Sequence, residues 1–168
     1  MRKFVLLAVA SLCSWSVALS ADPAAAPAPT ANPADEATKF LTMTMDKFNG
    51  GDVKGWVAAQ EDNTMIVDEF GPHVWTGTGS AQRWLDDYTK DSAANGVTGA
   101  RVDYGKPLQA TSDGTTAYIV LPTTYRFVQK GAKMAEPGSM TFVMKRAEGG
   151  WKIASWTYSA GGAPAPEK

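Results

Sequence analysis

FNGGDVKGWVAAQEDNTMIVDEFGPHVWTG, Phe48 to Gly77, sets a helix stop, a short capped helix, a strand, a tight turn and a second strand in direct succession. Gly50-Gly51 ends a first helix, because glycine accepts the left-handed backbone that closes one. Asp52 is placed to cap the next helix, whose inner face is Val53, Trp56 and Val57. Asn63 to Phe70 is rich in strand formers, Gly71-Pro72 turns the chain, and His73 to Thr76 returns it.

Upstream of this block, Asn32-Pro33 reads as a cap and first-turn pair. Ala37, Phe40, Leu41, Thr44 and Phe48 then follow at helical spacing and make one apolar stripe. Downstream, Ala81, Trp84, Leu85 and Tyr88 share one side of a third helix that Asn95-Gly96 stops. Beyond Gly96 the period becomes two. Strands are predicted over Arg101–Ala110, Thr115–Val128, Met140–Arg146 and Trp151–Tyr158, with hairpin turns at Ser112-Asp113-Gly114 and Glu148-Gly149-Gly150. Pro122 predicts a bulge or an edge position. Helices ahead of a mostly antiparallel sheet mean α+β. About three short helices cannot cover both faces of a flat sheet, so the sheet must curve strongly around them. Phe40, Leu41, Phe48, Trp56, Trp84 and Leu85 are the expected helical wall of the core.

The ends of the chain read differently. Arg2-Lys3, the apolar run Phe4 to Leu12 and the small-x-small site Ala18-Leu19-Ser20 have the form of a signal peptide over residues 1–20, cleaved after Ser20. Cys13 leaves lipidation as an alternative, against which stands the bulk of Leu12 just before it. The expected location is therefore periplasmic or secreted, with no stable membrane insertion once the signal is gone. Residues 21–34, almost all alanine and proline, are expected to be a linker, residues 35–160 one domain, and residues 161–168 a flexible tail.

Cleavage removes the single cysteine, and with it any disulfide, thiol nucleophile or thiolate metal site. It leaves 14 basic against 17 acidic residues, a net charge of −3. No basic run is present, which argues against nucleic acid as a partner. One histidine among scattered carboxylates makes no metal site, and no cofactor fingerprint is found.

In order and spacing, EDNTMIVDEFGPHVWTG resembles the segment of ketosteroid isomerases in which an acid precedes a Phe-Gly turn. The closing WKIASWTYS resembles the last strand of SnoaL-like domains. Residues 35–160 are thus similar to the NTF2-like superfamily, which implies a cone of curved sheet and three helices enclosing a pocket. The resemblance puts Asp68 at the place of the family's proton-shuttling aspartate. It puts Thr44 near the family's oxyanion-binding tyrosine and Phe142 at about the family's protonated acid. Neither reproduces that oxyanion hole, so steroid isomerisation is not implied.

On a strand Asp68 shares a face with Ile66 and Phe70; if that face lines the pocket, desolvation would equip it as a general base. His73, beside the turn, is a second and weaker acid–base candidate. Trp56, Phe70, Trp75, Tyr88 and Tyr125 are expected to line the pocket together with Thr44 and Phe142. Trp156 and Tyr158 alternate with Ser155 and Thr157, and periodicity leaves open which set faces inward. Three readings follow. One is a pocket binding a small apolar molecule without chemistry. The second is an isomerase, dehydratase or cyclase using Asp68 as base. The third is a homodimeric assembly module, for which an aromatic outer face of the last strand would serve as the interface.

Overall fold

The computed structural model describes residues 32–167. The expected signal peptide and cleavage site, Cys13 and residues 21–31 of the expected linker lie outside them. In chain order the elements are α1 (Pro33–Asn49), α2 (Val53–Ala58), β1 (Gln60–Val67), β2 (Val74–Trp75) and α3 (Ser80–Asn95). There follow β3 (Val97–Tyr104), β4 (Gln109–Ser112), β5 (Thr116–Gln129), β6 (Ala132–Ala147), β7 (Gly150–Ala160) and β8 (Ala165–Pro166). Three helices pack on one curved sheet, the α+β cone expected.

The strands run β2-β1-β7-β6-β5-β3, with β4 also on β5 and β8 on β6. Only β1 and β7 pair in parallel among the described strands. Alternation puts Ile119 and Leu121 of β5, Phe142 and Met144 of β6, and Ile153 of β7 on the inner face, each at most 2% exposed. Leu41, Met45, Trp56 and Trp84 close over them from the helices. Phe40, Phe48 and Leu85, expected to be largely buried in the helical wall, are half-buried and pack against that core from its edge.

A one-residue bulge decides what β7 presents. Met144 pairs with Ile153 but Val143 with Ser155, so Ala154 is the extra residue. The slip shifts the phase: Trp151 and Ile153 point inward, and so do Trp156 and Tyr158 after it, while Ser155 and Thr157 face out. The aromatic set lies inside the cone, which removes the aromatic outer face on which the assembly reading leaned.

Several boundaries depart from expectation. Asn32 caps α1, its side chain accepting the Ala34 N–H at 3.0 Å, so residues 32–34 belong to the domain and not to the linker. β1 starts at Gln60 and stops at Val67, because the Asp68 N–H turns to the His73 carbonyl at 3.0 Å. The strand expected over Arg101–Ala110 is split into β3 and β4. β5 runs straight through Pro122, which stands opposite that split. The Pro122 carbonyl accepts the Gly105 N–H there at 3.0 Å, and the donor that proline lacks falls on the same side, where no ladder strand needs it.

The tail is not loose either. β8 pairs Ala165 with Ala135 and Pro166 with Met134, and Glu167 bridges to Arg126 at 2.8 Å. A chain truncated after Ala160 is expected to lose on the order of 1–2 kcal/mol of stability, a few degrees in thermal midpoint. An unchanged midpoint would show the strap to be passive.

Candidate functional site

Between the three helices and the inner faces of β5, β6 and β7 lies a partly open cavity of about 230 Å³. Its floor includes Met45, Phe142 and Ile153. Its walls are aromatic. Trp84 of α3 stacks on Tyr88 at 5.1 Å with 10° between the planes, and meets Trp156 edge-on at 5.0 Å. Trp56 of α2 lies 5.0 Å from Trp84, and Phe70 lies 6.1 Å from it.

Asp68 enters this wall by strand phase. Ile66 points in, Val67 out, and Asp68 continues the alternation one residue past β1. Its Oδ2 accepts the Trp84 indole N–H at 3.0 Å and its Oδ1 the Glu69 backbone N–H at 2.7 Å. Both bonds favour the charged form. Burial outweighs them and lifts the carboxyl to about 6. Across the cavity the Tyr88 and Tyr125 hydroxyls lie 3.0 Å apart. Burial raises both phenols, and the Tyr88 hydroxyl adds to the rise at Tyr125.

Two buried polar groups here were not foreseen. Glu136 on β6 is 3% exposed and lines the cavity. Burial first, then the charge of Glu69, a side-chain hydrogen bond with Glu69, and the charge of Asp68 hold its carboxyl well above the ordinary range. The Tyr158 hydroxyl is buried with no hydrogen-bond partner among the described residues. Gly138 makes room for that ring: a Cβ there would sit 2.8 Å from the Tyr158 oxygen and 2.7 Å from the Ser159 carbonyl. The signal for Glu136 was present, since stepping back by twos from Met140 reaches it. Residues 129–139 fall between the strands predicted from sequence, and Pro137 and Gly138 interrupt the alternation there.

Of the residues named from sequence, the cavity brings together Asp68, Trp56, Phe70, Tyr88, Tyr125 and Phe142. Three lie elsewhere. Thr44 is buried with its hydroxyl donating to the Phe40 carbonyl inside α1, and its neighbour Met45 faces the cavity instead. Trp75 packs behind Phe70 at 5.0 Å and donates its indole N–H to Asp87 at 3.0 Å, supporting the wall from outside. His73 is exposed at positive φ in the turn, its ring 3.2 Å from the Asp68 carbonyl and off the cavity lining. Among the described residues no group of three or more His, Cys, Asp or Glu is placed to hold a metal.

Residues 38–163 match the model of a SnoaL-like domain. A comparison with curated protein sequences finds no match. Among solved structures, a ketosteroid isomerase-like protein from Erwinia carotovora atroseptica is 15% identical, covering 80% of this chain and 100% of its own, with a TM-score of 0.61. The CaMKII hub of S. rosetta is 15% identical over 78% of this chain and 98% of its own, at 0.63. ActVI-ORFA from Streptomyces coelicolor is 17% identical over 76% and 96%, at 0.59. At these identities the likeness is one of fold.

Proposed function

This chain belongs to the SnoaL-like domain family, with the NTF2-like fold, and from its cavity we propose that it binds a small, flat, apolar molecule between the walls of the cone. The observation that carries this is the aromatic-walled cavity around Trp84, with Trp56, Tyr88 and Trp156 in contact with that ring. Such rings offer planar apolar faces that complement a fused-ring or aryl ligand. Titration with a panel of fused-ring and aryl compounds is expected to quench tryptophan emission and raise the thermal midpoint for at least one class. A panel that moves neither would overturn the reading.

Asp68 supports a second reading, a proton-transferring isomerase, dehydratase or cyclase. A carboxyl lifted to about 6 inside an apolar cavity is a competent base near neutral pH, and the Tyr88–Tyr125 pair offers a hydroxyl to a developing oxyanion. Turnover should then rise with pH through about 6 and vanish in Asp68→Asn while ligand binding persists. Turnover surviving in that variant would exclude Asp68 as the base. We also place this work outside the cytoplasm, on the N-terminal signal. The exported protein is expected to begin at Ala21, and N-terminal sequencing that still finds Phe4 to Leu12 would reject this.

A further inference from the structure

The charges around the cavity are one-sided. Among the described residues its lining includes four carboxylates, Asp68, Glu69, Asp91 and Glu136, and no lysine, arginine or histidine. Glu136 is the most demanding of these: it is 3% exposed and takes part in no ion pair among the described residues. A carboxylate so placed is costly to ionise without a cation. Beside it the Tyr158 oxygen is buried and unpartnered, and the faces of Trp84, Trp156 and Tyr88 carry the negative side of their quadrupoles.

Three kinds of guest fare differently in such a volume. A neutral hydrocarbon fills it but leaves Glu136 buried with only another carboxyl, that of Glu69, as its partner. An anion meets repulsion from every carboxylate. A positively charged organic guest gains the aromatic faces, the carboxylate and the orphaned oxygen together. We propose that the ligand of this cavity is an organic cation, a flat hydrophobic amine in its protonated form or a quaternary ammonium, with Glu136 as its counter-ion. The inference rests on reading the cavity as a small-molecule site. It narrows that reading from apolar guests in general to cationic ones.

Two probes of equal shape test it: benzyltrimethylammonium, which is charged at every pH, and its neutral carbon isostere neopentylbenzene. At pH 8 the full chain is expected to bind the cation about tenfold or more tightly than the isostere. Most of that preference should disappear at pH 5, where Glu136 and Asp68 take up protons; Glu69 and Asp91 face the same volume, and Tyr88, Tyr125 and Tyr158 stay neutral across the range. Glu136→Gln should also remove the preference at pH 8. If that variant does not fold, the wild-type comparison at the two pH values decides alone. Isostere binding equal to or tighter than cation binding at pH 8 overturns the inference and leaves the small-molecule reading standing. Binding of neither probe overturns both.

Discussion

Trp84→Ala is expected to lower the unfolding free energy by about 3–5 kcal/mol, the range for a buried aromatic cut back to a methyl group. The indole is 5% exposed and its ring meets those of Phe48, Trp56, Phe70, Tyr88 and Trp156, so no single neighbour can close the void. Urea denaturation measures it. A loss below about 1 kcal/mol would mean that the aromatic wall collapses onto the gap. Trp84→Phe separates packing from hydrogen bonding. It keeps most of the ring but removes the donor to Asp68, at a cost of about 1–2 kcal/mol. It should also push the Asp68 carboxyl above about 6, because the lost bond favours the anion.

Asp68→Asn is expected to change how stability depends on pH. The Asp68 carboxyl sits at about 6 in the folded chain against an ordinary 3.8, so between these values the folded state keeps a proton the unfolded chain has lost. Stability therefore falls as pH rises through that window. The loss is complete above about 6 and is on the order of 2–3 kcal/mol. The amide resembles the protonated acid: it is neutral and has one good acceptor where the carboxylate has two. The variant should thus match wild type near pH 4, be more stable at pH 8, and show a flattened slope between. The part due to Glu136, at higher pH, should persist. Equal destabilisation at both pH values would mean that the bonds to Trp84 and Glu69 outweigh the desolvation of the anion.

How much of this was legible in the sequence varies with the residue. The cone followed from local signals that agreed with one another: the Gly50-Gly51 stop, the Asp52 cap and the switch from helical to alternating spacing after Gly96. Asp68 was reachable because strand phase carried one residue beyond the end of β1. Trp156 and Tyr158 were not assignable, since the slip at Ala154 inverts the alternation and a bulge leaves no mark in a run of alanine and serine. Thr44 was placed by counting along a helix, where one residue turns the side chain by about 100°; Met45 took the position instead. The strap at Ala165–Pro166 was hidden by composition, because a proline-rich tail reads as loose whatever edge it finds to pair with.

The position of β1 has a consequence for the life of the chain before it is folded. β1 is formed early in synthesis, yet its long neighbour is β7, and the bond from Trp156 to Gln60 spans 96 residues. Until β7 has been made, β1 has only the two residues of β2 beside it, and Ile66 has no sheet to be buried in. Contacts of such separation are formed late and slow the search for the native state. The domain therefore cannot close while it is still being translated. A nascent chain kept open until its last long strand emerges remains in the threadable state that passage through an export channel would require.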